Sequence, residues 1–157
     1  MPDEFAAAPG LRVSFFSDRA VLADALTGLA DESCMRVSPA LPLRADLDAV
    51  QNIALIQLYR KQADSRSAEA FALELLQRLD AAGIAAKREA DMATRERFAA
   101  LLARALMLER ARLVIGQPGA LLYDEPYPAL IRELRRRAGG NKVWEIYDYA
   151  WNRVLYE

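Results

Sequence analysis

The run Arg112-Leu113-Val114-Ile115-Gly116 constrains the fold more than any other stretch of the chain. Within "TRERFAALLARALMLERA" just before it, Phe98, Leu101, Leu102, Ala105 and Leu106 repeat at helical spacing, so one helix face is apolar and built for a core. "RLVIG" then shows no alternation of polar and apolar residues, the pattern of a strand buried on both faces. Other segments share this rhythm. "LRVSFF" (11–16), "CMRVSP" (34–39), "KVWEIY" (142–147) and "NRVLYE" (152–157) read as short strands bounded by turn residues. "AVLADALTGL", ended by Gly28, reads as a helix, as do "RADLDAVQNIALIQLYRKQ" and "SRSAEAFALELLQRLDAAGI", the last closed by Gly83. In that third helix Ala72, Leu75, Leu76 and Leu79 form a second apolar stripe. "YPALIRELRRRAGG" is a further helix closed by its glycines. Strands alternating with helices predict an α/β fold: a mainly parallel sheet flanked by helices, with the consecutive central helices as an inserted lobe.

At 157 residues the chain is expected to be one domain, 1–157, with a core at about 9–40 and 107–157 and a helical lobe at about 45–106. It contains no histidine, which removes Ser-His and Cys-His nucleophilic pairs and imidazole acid–base chemistry. Cys34 is the only cysteine, so it has no internal disulfide partner and reads as a small core residue. A formal net charge of −1 gives no electrostatic reason to expect nucleic acid as a partner. The basic run Arg135-Arg136-Arg137 reads as a solvated helix end. "MPDEFAAAPG" is acidic and lacks a signal-peptide core, and no apolar run approaches the roughly 20 residues of a membrane helix. The expected location is therefore the cytoplasm, without direct membrane insertion.

The order of segments resembles the ATP-binding subunit of ABC transporters, a P-loop NTPase fold. "VQNIALIQLYRKQ" resembles the segment that opens that family's helical lobe, and "AEAFALELLQRLDAAGI" the helix after it. "LLARALMLERARLVIGQP" resembles the family's "ALARALALEPRLLLLDEP" without a gap, and "VWEIYDYAWNRVLYE" its final strand–switch–strand passage. The resemblance covers 9–157 and implies an ABC ATPase-like α/β fold, truncated in that the family's N-terminal antiparallel sheet is largely absent.

The register of this resemblance decides how to read the conspicuous Asp124-Glu125-Pro126. The family's Asp-Glu-Pro falls on Gly116-Gln117-Pro118, and Asp124 lies eight residues beyond Gly116. Gln117 to Tyr147 spans 30 residues, as the family's catalytic glutamate and switch histidine do, whereas Glu125 to Tyr147 spans 22. Asp124-Glu125 thus reads as a solvated turn or helix start, where acids suit a helix dipole. By the same register the family's G-x-x-x-x-G-K-S/T phosphate loop is replaced by "PGLRVSFFSDRAVLADALTGL", which is shorter and has no lysine and no glycine between Gly10 and Gly28. Ser17, Asp18 and Arg19 stand at its mouth, where Asp18 would repel a triphosphate. The signature LSGGQ falls on Met92-Ala93-Thr94-Arg95-Glu96, the Q-loop glutamine near Ser38 or Pro39, the D-loop aspartate on Tyr123 and the switch histidine on Tyr147.

What the resemblance implies is a catalytically inactive ABC ATPase-like protein with no cofactor and no metal. It implies an accessory or regulatory subunit that contacts an ABC permease or an intact ABC ATPase subunit, with a homodimer as another arrangement. Attachment to the inner membrane would then run through a permease. The docking face is expected around 41–59, with Leu43, Leu47 and Val50 partly exposed. If the ancestral pocket has closed, Tyr147 is expected against Ser17, Asp18 and Gly116. An interaction scaffold unrelated to transport, a divergent active nucleotidase using Asp124 and Glu125, and a remnant without a task are the alternatives.

Overall fold

The computed structural model describes residues 2–29, 33–60 and 64–157. β4 (Arg112–Gly116) lies inside the five-stranded sheet, with Leu113, Val114 and Ile115 fully buried, as a strand covered on both faces requires. Its neighbours are β3 (Met35–Val37) on one side and β5 (Val143–Tyr149) on the other, and beyond β5 lies β2 (Leu11–Phe16). All these pairs are parallel. The strands expected at 11–16, 113–116 and 143–146 therefore lie side by side in one sheet.

Two corrections apply at the ends of the chain. β1 (Asp3–Ala8) pairs antiparallel with β2, so part of an antiparallel layer is present where it was expected to be largely absent. The hairpin turns at Gly10 (φ +74°), where an added Cβ would stand 2.1 Å from the Arg135 guanidinium. The segment "NRVLYE" is not a strand. Ala150–Tyr156 forms a 3₁₀ helix after β5 that leaves Val154 and Leu155 exposed and buries Tyr156 edge-on against Phe15.

The two faces of the sheet are filled differently. Trp144 and Ile146 of β5 and Leu113 and Ile115 of β4 point into the main core, where α4 (Thr94–Leu106) supplies Phe98 and Leu102. α6 (Tyr127–Ala138) adds Leu130, Ile131 and Leu134 to it. On the opposite face α1 (Arg19–Thr27) buries Leu22 in a small cluster with Phe16, Cys34, Val114 and Tyr147. The single cysteine is thus a core residue, as expected.

Among the described residues between β3 and β4, helices joined by turns and loops fill the segment, with one isolated bridge between Asp48 and Arg88. α2 (Ala49–Tyr59) starts later than the sequence suggested, because Asp48 and Gln51 form a capping box that fixes its first turn. α3 (Ser65–Arg78) ends before Gly83, at a turn where Asp80 takes a positive φ. Residues 82–84 and 89–91 form single 3₁₀ turns leading into α4. Ahead of α2, the buried Asn52 accepts from Arg44 N and donates to the Arg44, Leu47 and Asp48 carbonyls, holding the 44–48 loop against the helix. No helix among the described residues is long and apolar enough to cross a membrane.

Candidate functional site at the carboxyl edge of the sheet

The topology itself opens a crevice. β2 runs into α1 on one face of the sheet, whereas β4 runs through the short α5 (Pro118–Leu121) into α6 on the other. Where the connections leaving two strands diverge in this way, a gap opens over the carboxyl end of the strand between them, here β5. A cleft of about 320 Å³ lies there, lined by Arg19, Gln117, Gly119, Tyr127, Asp148, Tyr149, Trp151 and Asn152.

The residues at the start of α1 settle how that helix meets the cleft. Only Ser17 and Asp18 connect β2 to α1. The Asp18 carboxylate accepts from Ala20 N at 2.7 Å and Val21 N at 3.2 Å. First-turn N–H groups of this kind form the ready-made anion site of a helix, and a carboxylate of the chain itself takes them here. Arg19 points over the Trp151 ring, 6.0 Å from its centroid.

Gln117 follows β4 in the left-handed conformation (φ 53°), which is costly for a residue with a Cβ. Its amide donates to the Tyr149 hydroxyl at 2.8 Å, and its backbone N–H donates to the Tyr147 carbonyl. The floor of the cleft is rigid because of Asp148, which is 1% exposed. One of its oxygens accepts from Tyr127 Oη (2.7 Å) and Tyr156 Oη (2.8 Å). The other accepts from Asn152 Nδ2 (2.9 Å) and Tyr149 N (2.7 Å). Four donors on one carboxylate tie β5, α6 and the 3₁₀ helix together. Burial, and then the neighbouring Asp148, push the Tyr127 and Tyr156 hydroxyls well above the ordinary tyrosine range. Sequence reading missed Asp148, because an acid just past the expected strand at 142–147, which in fact runs on to Tyr149, carries no signal of the donors that converge on it.

The residues singled out from the sequence fall into four places. Ser17, Asp18, Arg19 and Gln117 lie at the carboxyl edge, and Arg19 and Gln117 line the cleft. Gly116 and Tyr147 lie beneath α1. A Cβ at Gly116 would stand 2.6 Å from a Leu26 methyl group. Tyr147 is 9% exposed and packs at 5.3 Å on Phe16. It does not fill the mouth as expected. Its hydroxyl accepts from Arg112 Nη2 at 2.9 Å, at the amino end of β4, where Glu145 also holds Arg112 through two bonds. The strand pleat explains this: Tyr147 shares its face with Glu145 and leans along it toward Arg112.

A third group is Met92, Ala93, Thr94, Arg95 and Glu96, which form the start of α4. Glu96 accepts from Ala93 N and Lys87, which together hold its carboxyl below the usual range. Thr94 Oγ1 donates to Asp124 at 3.3 Å, and Arg95 lies 3.9 Å from Glu125. The acidic pair thus clamps the turn before α6 onto α4, and neither acid lines the carboxyl-edge cleft. Fourth, Ser38, Pro39 and the exposed Tyr123 line a separate cleft of about 190 Å³. Among the described residues no group of three or more acidic or cysteine side chains is arranged to hold a metal ion.

The expected partner surface is only partly open. Leu43 is buried, a correction to its expected exposure, because the Asn52-bound loop folds it into the core. Leu47 and Val50 are half-buried. A cleft of about 500 Å³ nearby is lined instead by Leu41, Leu55, Ile56 and Tyr59, with Arg36, Arg44, Arg60 and Arg104 among its other walls.

No protein-family model and no curated protein sequence matches the chain. Solved structures do. cbiO1 from Clostridium perfringens, part of the ABC transporter complex cbiONQ, superposes with a TM-score of 0.60 at 16% identity, over 75% of this chain and 47% of its own. MJ0796, a bacterial ABC transporter cassette solved as a dimer, gives 0.62 at 19% identity, over 85% and 59%. An inward-facing structure assigned to the metal-chelate type of ABC transporter gives 0.65 at 16%, over 88% and 61%. The chain therefore has an ABC ATPase-like fold, and it spans about half to three fifths of the length of these structures.

Proposed function

We propose that this chain is a non-hydrolysing ABC ATPase-like protein that acts through protein contacts as an accessory or regulatory subunit of an ABC transport system. The observation that carries the reading is the Asp18 carboxylate at the start of α1. Phosphate binding at this point of the fold depends on free N–H groups and a cation, and a fixed anion in their place opposes it. Two further features support it. Gly116 has no side chain to hold magnesium and is packed against Leu26, and Gln117 is neutral and turned toward Tyr149. The divergent-nucleotidase alternative needs Asp124 and Glu125 at the nucleotide, yet both are engaged with α4.

The neighbours guide the choice of partner, since cbiO1 is part of a transporter complex and MJ0796 was solved as a dimer. The apolar cleft beside α2, with Leu55, Ile56 and the 87%-exposed Tyr59, is the surface this reading assigns to a permease or an intact cassette. The test is co-expression with an ABC permease and an intact ABC cassette from the same genome. Co-purification that Ile56→Asp abolishes is the expected result. A chain that stays alone, with the permease and cassette assembling without it, would overturn the reading.

A further inference from the structure

At the carboxyl-edge cleft Asp18 occupies first-turn N–H groups of α1, yet the cleft keeps other groups that suit a ligand. Tyr149 and Trp151 stack with ring centroids 4.4 Å apart and planes 9° from parallel, so Trp151 is layered on Tyr149 and offers its other face. Trp151 is nonetheless 54% exposed, a large apolar surface left at the rim of a concave site. Arg19 is the cation of the cleft and forms no ion pair among the described residues. Asp148 is held by its four donors, and Asp18, which accepts from two backbone N–H groups, repels a multiply charged phosphate more strongly than a single carboxylate. Gln117 and Asn152 each spend their amide N–H on the wall and the floor, which leaves both side-chain carbonyl oxygens as acceptors.

We infer that this cleft binds a small aromatic carboxylate carrying a hydroxyl or amino group on its ring. The Arg19 guanidinium takes the carboxylate, the Trp151 rim covers the ring, and the Gln117 side-chain carbonyl accepts from the ring substituent. Arginine suits a planar carboxylate because its fork donates two parallel hydrogen bonds. The volume of about 320 Å³ lies at the small end of ligand sites, which favours a single ring over a nucleotide. The inference does not depend on the accessory-subunit reading, because it concerns only the contents of this cleft.

The probe is 4-hydroxybenzoate, titrated against the indole N–H resonances of the two tryptophans, of which Trp144 is buried and Trp151 lines the cleft. The expected result is a saturable shift confined to Trp151. 4-Hydroxybenzamide should bind at least about tenfold more weakly, and Arg19→Gln should weaken 4-hydroxybenzoate by about the same factor. Arg19 is an exposed residue, so that variant should keep the wild-type melting temperature. Gln117→Asn should weaken 4-hydroxybenzoate but not unsubstituted benzoate. Equal binding of acid and amide, no loss in Arg19→Gln, or an unsaturable drift of both indoles would overturn the inference.

Discussion

Tyr147 illustrates how far one residue's identity determines its surroundings. Its ring fills the small cluster beneath α1, and its hydroxyl completes the bonding of Arg112. Tyr147→Ala should cost about 3–5 kcal/mol in a denaturant melt, as other large aromatic truncations do. Tyr147→Phe removes only the hydroxyl and should cost roughly 0.5–1.5 kcal/mol. Tyr147→His should restore no ATPase activity, since that ring points toward Arg112 and away from the carboxyl edge. Tyr127 and Tyr156 make a separate, pH-dependent contribution. Both hydroxyls donate to Asp148, and their protons are held more tightly in the folded state than in the unfolded one. Above about pH 10 the unfolded state loses these protons first, so folding stability should fall with rising pH there and be fully retained below it. In melts between pH 8 and pH 11.5, Tyr156→Phe should flatten that alkaline limb while costing about 1–3 kcal/mol at neutral pH through the short-changed Asp148. An unchanged alkaline slope in that variant would show that the buried hydroxyl is not the group responsible.

Among the elements, those with unambiguous patterns were legible in the sequence. β2, β4 and β5 carry dense apolar runs, and α3, α4 and α6 carry stripes at helical spacing. β1 escaped because "DEFAAA" is polar and alanine-rich, with low strand propensity. It is an edge strand that, among the described residues, pairs with β2 alone. Residues 152–157 misled because Val154 and Tyr156 mimic a two-residue alternation, although only Tyr156 is buried. The Asp48–Gln51 capping box stops α2 at Ala49, although the apolar Leu47 continues the helical pattern upstream of it. The 44–48 loop rests on Asn52, so Asn52→Ala should cost about 1–3 kcal/mol by leaving the Arg44 N–H unanswered. Proteolysis at 44–48 should accelerate in the same variant. At the start of α1, Asp18→Ala should cost about 1 kcal/mol as the loss of a helix cap. It should create no nucleotide binding, because lysine and the phosphate-loop glycines are still absent.

On the scale of the whole molecule, the order of strands, the helical segment between β3 and β4, and the ABC-like superposition agree. The register drawn from "LLARALMLERARLVIGQP" matches Gln117 to the family's Asp-Glu-Pro glutamate; in the structure Gln117 lines the carboxyl-edge cleft, whereas Asp124 and Glu125 contact α4. The same register gave Tyr147 the correct strand but not the correct direction of its ring, which depends on a pleat and a partner arginine distant in sequence. The Asp148 network was illegible for the same reason, since its donors come from Tyr127 on α6 and from the 3₁₀ helix. The central claim is that the fold persists without nucleotide chemistry, and calorimetric titration with magnesium and ATP tests it most directly. The titration should give no saturable heat at ligand concentrations up to the millimolar range, corresponding to binding no more favourable than about −4 kcal/mol, and no rise in melting temperature. A saturable micromolar dissociation constant, with a matching rise in melting temperature, would contradict it.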